Sequence, residues 1–520
     1  MQGGSSRVAG VTLPLAALRT RGDWGIGQIA DLVPFAELVR RAGHTLVQIL
    51  PPYELGPGET SPYGACTAFG LEPLYLTLEA IPELQGGILE AVLGEGGRAE
   101  RRRLRETARV DFAAVRLLKG RLLRAAWERF RDRELGLSSP RAEAFLAFCG
   151  ESRWARELGV YLALRESHGG WGWSSWPEEE RDLGPSVQAM IEAPASLDTP
   201  LGCAVLEQLY RQWLLDIEWQ RTRAELSALG VELMGDLPFI VGAESADVWT
   251  HRSEFRTDVS LGAPPDGFSA DGQDWGLPAY DWGVMDSGSL RWIRERTAHA
   301  ARLYDRFRLD HVVGYFRQWV KPPGGKGCFD PTTEKEQRAR GEKVLRAILE
   351  AAGSSRVIAE DLGVIPPFVH EVLKELHLPG YRVLPWERVD RHYKSADAVP
   401  EISVASWSTH DTAPITAWWC ELEEWERRAL ARTWRLDLSG DEDARNFELL
   451  RALYETRAEL ALVLVQELLF EKTRINTPGT VGPENWTYRL PDTLEALSAD
   501  PVLGARLDRI SGLVKGARRG

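Results

Sequence analysis

The spacing of hydrophobic and polar positions separates short strands from long helices along this chain. After residue 230, short apolar segments recur and end on polar residues, as in VELMGDLP at 231–238 and RFRLD at 306–310. Helical patterns such as PPFVHEVLKELH at 366–377 lie between several of them. Repeated strand-then-helix segments predict an α/β fold, the (β/α)8 TIM barrel, with functional residues at the strand ends. The other predicted strands are TLVQIL at 45–50, VIAED at 357–361, RVLPW at 382–386, ISVASWSTHD at 402–411 and RIN at 474–476.

The predicted barrel carries a mostly helical insertion. From about residue 80 to 230 the sequence is charged and has Leu and Ala at helical spacing, as in VDFAAVRLLKGRLLRAAWERFRD at 110–132. We interpret the chain, residues 1–520, as one catalytic barrel with this helical subdomain inserted. The apolar stretch LALVLVQELLF at 460–470 is too short to span a membrane and contains Glu467, so we predict a buried helix there.

A doubly wound sheet is the structural alternative to a barrel. Such a fold binds phosphate groups through a Gly-rich loop after its first strand. The candidate Gly25-Ile26-Gly27 is an incomplete match and precedes the first clear strand. We therefore favour the barrel.

Composition narrows the class of substrate. The 520 residues carry a formal net charge of −13, which argues against a nucleic-acid or anionic membrane surface as partner. The 20 tryptophans outnumber the 15 phenylalanines and 12 tyrosines. Because indole rings offer broad flat faces on which sugar rings stack, this excess favours a carbohydrate substrate.

Cysteine usage and the amino terminus indicate an intracellular protein. The five cysteines are far apart, and none has a partner at the spacing of a zinc site, so we predict reduced thiols and no metal. The first residues, MQGGSSRVAGVTLPL, lack the basic and apolar regions of a secretory signal. A cytoplasmic location is the resulting expectation, and the acidic surface suits a monomer or a dimer.

Acidic residues stand at the ends of four predicted strands. In FRLDH at 307–311, Arg308 and Asp310 are two residues apart and therefore share one face of a strand. This pair alone fits a structural ion pair or a catalytic carboxylate kept ionised. Asp236, Glu360 and Asp411 follow other strands, and the carboxyl ends of barrel strands converge on one face. Several carboxylates with an Arg in a Trp-rich site are typical of retaining glycoside chemistry.

Eight motifs, in order along nearly the whole chain, resemble those of the 4-α-glucanotransferases called amylomaltase or disproportionating enzyme, which are relatives of the α-amylase clan. They are GDWGIG, SPYG, GDLPFIV, GAPPDGFSADGQDWGLPAYDW, FRLDH, AEDLG, STHDT and RINTPGTVGPENW. The resemblance implies transfer of an α-1,4-glucan segment to the 4-hydroxyl of another glucan or of glucose, through a covalent glycosyl-enzyme intermediate. It implies no cofactor. A hydrolase of the same clan and a glucan-binding protein without catalysis are the alternatives.

The resemblance also assigns roles to residues. It makes Asp310 the nucleophile, Glu360 the general acid and then base, and Asp411 the third carboxylate that binds sugar hydroxyls. It implies a loop insertion at about 250–290 that covers the cleft. The residues expected to bind substrate are Arg308 and His410 beside the carboxylates, Trp275 and Asp266 on the covering loop, and Tyr63, Asp236, Asp390 and Asn476 elsewhere.

Two local features qualify these assignments. Asp361 follows Glu360 directly, so in a continuing strand it points the opposite way, and we expect a supporting role for it. After the Asp-His pair, where many family members carry an aromatic residue and a second Arg, this chain has Val312-Val313-Gly314-Tyr315. We expect the loop behind the nucleophile to differ accordingly.

Overall fold

The structure is a computed structural model that describes residues 7–193, 195–265 and 272–519. Its strands are β1 Val8–Leu13, β2 Leu46–Ile49, β3 Glu232–Leu237, β4 Phe255–Ala263, β5 Gln273–Tyr280, β6 Arg306–Leu309, β7 Gln318–Lys321, β8 Cys328–Asp330, β9 Arg356–Ala359, β10 Gly380–Val383, β11 Arg388–Val389, β12 His392–Tyr393, β13 Ser403–Ser406 and β14 Leu460–Leu464.

Helices connect most of these strands. They are α1 Leu32–Arg41, α2 Ile88–Glu106, α3 Phe112–Arg133, α4 Pro140–Glu151, α5 Arg153–Ser167, α6 Glu178–Arg181, α7 Pro185–Glu192, α8 Pro200–Ala228, α9 Ala246–Thr250, α10 Trp282–Ser287, α11 Arg291–Leu303, α12 Glu334–Ala352, α13 Pro367–Glu375, α14 Ile415–Glu421, α15 Glu424–Trp434, α16 Glu442–Glu455, α17 Val465–Leu469, α18 Leu494–Ala499 and α19 Pro501–Gly516.

Eight of the described strands close into a barrel in the order β1-β14-β13-β10-β9-β6-β3-β2. Every neighbouring pair is parallel. The register places Arg308 of β6 beside Asp236 of β3 on one side and Ile358 of β9 on the other. The predicted (β/α)8 fold is therefore confirmed.

Alternate residues of the barrel strands fill its interior. One buried apolar cluster contains Met234 of β3, Ile358 of β9 and Leu462 of β14. Gly10 of β1 belongs to the same layer, because a Cβ atom there would lie 2.5 Å from Leu46 Cδ2. Side chains two residues further along each strand point the same way, so Asp236 and Glu360 follow Met234 and Ile358 into the carboxyl end of the barrel.

The last barrel strand differs from its prediction. Residues 460–464 form β14, and only 465–469 are helical, so the prediction of a buried helix over 460–470 is wrong for its first half. A strand buried on both faces is uniformly apolar, and its pattern cannot be distinguished from that of a buried helix. The predicted strand at 474–476 is absent from the described residues, and β1 at Val8–Leu13 had no predicted counterpart.

Two long insertions leave the barrel. Helices α2–α8 lie between β2 and β3, in the stretch that we propose as the helical subdomain. Between β3 and β6, the antiparallel strands β4 and β5 belong to a four-stranded sheet with β7 and β8. Asp266 lies outside the described residues. No helix in the described part of the chain is long and apolar enough to cross a membrane.

Candidate active site

A cavity of about 400 Å³ opens at the carboxyl ends of the barrel strands. Its floor is polar and its walls are largely apolar, as in many binding sites for small molecules. The lining residues are Thr12, Gln48, Tyr63, Pro238, Phe239, Ile240, Trp275, Leu277, Arg308, Asp310, His311, Glu360, Leu362, Tyr381, Trp386, Ser406, Ser408, Thr409, His410, Asp411, Leu462 and Leu464.

Arg308 is the centre of the charged network in this cavity. Its Nη1 atom donates hydrogen bonds to both carboxylate oxygens of Asp236, at 2.8 and 2.7 Å. Its Nη2 atom lies 2.9 Å from Asp310 Oδ1 and 3.9 Å from Glu360 Oε2. Three acidic side chains from three neighbouring strands therefore surround one guanidinium, and the predicted pairing of Arg308 with Asp310 is present.

Glu360 is more enclosed than Asp310, with side-chain exposures of 11% and 25%. The backbone N–H of His311 donates to Oε2 at 2.8 Å, and the N–H of Leu362 donates to Oε1 at 2.7 Å. Burial raises the pKa of the Glu360 carboxyl to about 7, and the negative charge of Asp310 adds to this effect, although the Arg308 guanidinium opposes it. At neutral pH the carboxyl thus exists in both its protonated and ionised forms.

Asp411 has the opposite electrostatic character. Burial alone would raise the pKa of its carboxyl, but the His410 imidazole and the Asn476 amide outweigh burial and lower the pKa to about 2. The Asn476 amide donates to Asp411 Oδ1 at 2.7 Å, and His410 Nε2 lies 3.4 Å from Oδ2. Asp411 therefore remains ionised while Glu360 is poised to exchange a proton.

Tyr63 links the two sides of the cavity. Its hydroxyl donates to Asp236 Oδ2 at 2.7 Å and lies 3.1 Å from His410 Nε2. Its ring stacks on the imidazole with centroids 5.4 Å apart, and Trp486 packs against both rings. These contacts bring the loop after β2 and the loop after β13 together.

Trp275 of β5 reaches the cavity wall. The ring of His311, the residue after Asp310, meets it edge to face with centroids 5.2 Å apart. The His311 backbone has φ 46°. Gly314 leaves space for the His311 and Phe239 rings, because a Cβ atom on residue 314 would lie 2.9 Å from His311 Cδ2 and 2.5 Å from Phe239 Cζ. The local sequence around the predicted nucleophile thus fits a tight turn against Phe239 and Trp275.

Other candidates lie outside the lining of the cavity. Asp236 is fully buried and is saturated by Arg308 and Tyr63. Asn476 is held behind Asp411, and Asp390 is exposed at the turn of the β11–β12 hairpin. None of these three side chains lines the cavity, because long-range hydrogen bonds and the path of the hairpin decide their positions, and their contact with substrate stays a prediction.

Asp361 points away from the cavity, as the strand period predicts. Its carboxylate accepts a hydrogen bond from the Tyr381 N–H at 2.7 Å and contacts Arg382 Nη1 at 3.0 Å and His370 Nδ1 at 3.2 Å. Burial would raise its pKa, but the His370 imidazole and the Arg382 guanidinium outweigh burial and hold the pKa below its usual value. Adjacent carboxyl groups in this chain therefore have opposite pKa shifts.

Comparison with known proteins identifies the family of this chain. The profile of the 4-alpha-glucanotransferase family matches residues 13–495. The chain belongs to the 4-alpha-glucanotransferase family. It is 29% identical to the 4-alpha-glucanotransferase of Chlamydia pneumoniae, covering 98% of this chain and 96% of that protein. It is 30% identical to the enzyme of that name from Thermus thermophilus, covering 94% and 95%.

The fold agrees with this assignment. The structure of the amylomaltase from Streptococcus agalactiae in complex with acarbose superposes with a TM-score of 0.82 at 23% identity, covering 99% of this chain and all of that one. Membership of the 4-alpha-glucanotransferase family makes the protein an enzyme of the glycoside-hydrolase type and confirms the resemblance found in the motifs.

In this family member, sequence reasoning missed several residues of the site. Trp386 lines the cavity although its side chain is half exposed. Glu467 is fully buried and accepts hydrogen bonds from the Ser408 hydroxyl and from the Ile415 N–H at 3.1 Å, so it clamps both ends of the loop that carries Asp411. The buried Glu in an apolar stretch was the only signal for this role.

The described residues provide no cluster of side chains that is suited to bind a metal ion. Within them, no group of three or more His, Cys, Asp or Glu side chains is arranged to hold a metal ion. The acidic residues of the cavity are engaged instead by Arg308, Tyr63, Asn476 and backbone N–H groups.

Proposed function

We propose that the protein is a retaining 4-alpha-glucanotransferase whose substrates are α-1,4-glucans and maltooligosaccharides. The observation that carries the proposal is the arrangement around Arg308. One guanidinium nitrogen lies 2.9 Å from Asp310 Oδ1 and 3.9 Å from Glu360 Oε2, and burial raises the pKa of Glu360 to about 7. Retaining enzymes place a nucleophile and an acid about 5 to 5.5 Å apart.

In the first step, the Glu360 carboxyl protonates the glycosidic oxygen of the donor while the Asp310 carboxylate attacks the anomeric carbon. The bond from that carbon to the leaving oxygen breaks, and the leaving glucan departs with the proton from Glu360. A β-linked ester to Asp310 remains. The Arg308 contact favours an ionised nucleophile, and the buried site of Glu360 favours a protonated acid.

In the second step, the Glu360 carboxylate removes the proton from the 4-hydroxyl of an acceptor glucan. The acceptor oxygen attacks the anomeric carbon, the ester bond breaks and the Asp310 carboxylate is released. Once Asp310 is esterified its negative charge is gone, so the pKa of Glu360 falls and the group becomes a better acceptor of the proton. The same residue thereby serves as acid and base in turn.

We assign supporting roles to the remaining candidates. Asp411 stays ionised, so its carboxylate is suited to accept hydrogen bonds from sugar hydroxyls at every working pH. Trp275 and Trp386 offer aromatic faces on two sides of the cavity. A cytoplasmic location, a monomeric or dimeric state and the domain division stay predictions from the sequence.

Incubation with maltotriose tests the reaction. Transfer produces glucose together with a ladder of longer maltodextrins, which chromatography resolves. Accumulation of glucose and maltose without longer products would show a hydrolase of the same clan. Binding of maltotriose without any product would show a glucan-binding protein.

Two substitutions test the roles of the carboxyl groups. We expect Asp310→Asn and Glu360→Gln each to lower kcat by about a thousandfold or more, because each removes a group that reacts with substrate. Asp361→Asn is the matched control, since its carboxylate faces away from the cavity and its loss should leave most activity. Trapping the ester with a fluorinated donor and mapping the labelled peptide identifies the nucleophile, and a label on any residue other than Asp310 would contradict the assignment.

A further inference from the structure

An exposed tryptophan lies against the β11–β12 hairpin that follows Trp386. Trp425 is near the start of α15 and is 49% exposed. Helices α14 and α15 lie in the connection that leaves β13 at its carboxyl end, and the β11–β12 hairpin lies in the connection that leaves β10. Both connections therefore belong to the face of the barrel that holds the cavity.

One side chain joins Trp425 to the cavity wall. Arg388 of β11 donates a hydrogen bond from Nε to the carbonyl of Pro385 at 2.8 Å, and its Nη1 contacts Glu426 Oε1 at 3.2 Å. Pro385 precedes Trp386, which lines the cavity, and Glu426 follows Trp425. The Arg388 guanidinium thus connects the residue before Trp386 with the residue after Trp425.

The turn of the hairpin brings charged groups near Trp425. The Arg391 guanidinium is 5.9 Å from the centroid of the Trp425 ring, at the outer limit of a cation–π contact. Asp390 is exposed beside it at the turn of the hairpin. Flat apolar faces near donors and acceptors match the two surfaces of a glucose ring, its C–H faces and its hydroxyl rim.

We propose that Trp425 and the β11–β12 hairpin extend the glucan-binding surface beyond Trp386 and bind outer glucose units of long α-glucan chains. The inference rests on the proposed function, because the inner part of the same chain occupies the cavity. It gives Asp390, which is outside the cavity lining, a place on the path of the substrate.

The surroundings of Trp425 favour a sugar over a protein partner. The Glu424–Arg428 ion pair, at 2.9 Å, lies on the same helix, and Arg391 faces the ring from the hairpin. The centres of protein interfaces are depleted of charged residues, and a stable interface buries about 800 Å² on each partner. A lone tryptophan among charges suits one chain of sugar rings better.

The test compares donors of different length. For each variant, kcat/KM is measured with amylose and with maltotriose, and the ratio of the two is the readout. We expect Trp425→Ala to lower this ratio by about fivefold to tenfold, which corresponds to about 1 to 1.4 kcal/mol, and Trp425→Tyr to restore most of it. The matched control is Trp171→Ala, since Trp171 is 72% exposed but belongs to the helical insertion, and its ratio should not change.

Affinity electrophoresis makes the test independent of turnover. In native gels that contain amylose, the Asp310→Asn protein should be retarded, and the additional change Trp425→Ala should reduce the retardation. The inference would be overturned if Trp425→Ala changed neither the amylose-to-maltotriose ratio nor the retardation. It would also be overturned if kcat/KM fell equally on both donors, or if the oligomeric state changed while the ratio did not. Failure of the proposed function would instead appear as the absence of a maltodextrin ladder from the unmodified enzyme.

Discussion

The Glu360→Gln substitution should abolish activity. It should also remove the part of the stability loss at rising pH that comes from ionisation of Glu360. The pKa of Glu360 is about 7 in the folded protein, compared with an ordinary value of 4.5. Between these two values the folded state binds the proton more tightly than the unfolded state. The free energy of unfolding therefore falls as the pH rises from about 4.5 to about 7, and the loss is complete above pH 7.

The size of the loss follows from the difference between the two pKa values. At 1.36 kcal/mol for each pKa unit, Glu360 lowers the free energy of unfolding by about 3 kcal/mol at pH 8 relative to pH 4. The Gln side chain cannot ionise and lacks this pH dependence. It also presents an amide NH₂ to one of the two backbone N–H groups that Glu360 accepts from, which costs about 1 to 3 kcal/mol at every pH.

The quantity to measure is therefore the difference in Tm between the variant and the unmodified protein, compared at two pH values. The comparison cancels the cost that is the same at every pH. Thermal unfolding by calorimetry at pH 4 and pH 8 measures it. For 520 residues, about 3 kcal/mol corresponds to roughly 3 °C in Tm. We expect the Tm of Glu360→Gln, relative to the unmodified enzyme, to be about 3 °C higher at pH 8 than at pH 4.

Asp361, the next residue, provides a control because its pKa is shifted in the opposite direction. The pKa of Asp361 is held below its usual value, so its ionised form stabilises the folded protein above the ordinary pKa of an aspartate and loses that effect as the pH falls. Asp361→Asn should thus lower Tm by nearly the same amount at pH 4 and at pH 8, because both lie above the ordinary value of 3.8, and by less at lower pH. If Glu360→Gln showed no gain between pH 4 and pH 8, the burial argument for a proton on Glu360 would be refuted.

Three further substitutions test the supports of the site. Glu467→Gln should lower kcat/KM and destabilise the protein by about 1 to 3 kcal/mol, because a buried acceptor for several donors is altered; calorimetry and maltotriose kinetics measure both effects. Arg296→Met should destabilise the protein by a similar or larger amount. The buried guanidinium donates to two backbone carbonyls, including that of Phe239, and to the Tyr315 hydroxyl at 2.7 Å. An unchanged Tm would contradict this prediction. Gly314→Ala should cost about 1 to 3 kcal/mol and reduce kcat, because its Cβ would overlap the Phe239 ring; unchanged kcat would show that the loop adjusts freely.

Strand periodicity was sufficient to predict which side chains of the site share a face of their strand. Arg308 and Asp310 share a face because they are two residues apart, and Asp361 faces outward because it is one residue from Glu360. Both relations hold in the structure. They depend only on local backbone geometry, which the alternation of apolar and polar residues determines.

Features that depend on contacts distant in sequence could not be predicted in the same way. Glu467 binds the loop at 408–415 only after β13 and β14 become neighbours in the barrel. The apolar residues at 460–464 fit a helix as well as a strand until the closed barrel requires an eighth strand beside β1. Trp386 reaches the cavity because a short turn follows β10, and no spacing rule indicates where such a turn points.

Asp236 fixes the orientation of the guanidinium that lies near Asp310 and Glu360. A guanidinium donates through a planar fork, so fixing one of its nitrogens also fixes the direction of the other. Asp236 is fully buried and accepts two hydrogen bonds from Arg308 Nη1. With that nitrogen occupied, Nη2 is left 2.9 Å from Asp310 but 3.9 Å from Glu360, beyond hydrogen-bond distance. One cation therefore pairs directly with the predicted nucleophile, while burial outweighs its opposition to a proton on the predicted acid, which is the division of charge that retaining glycosyl transfer requires.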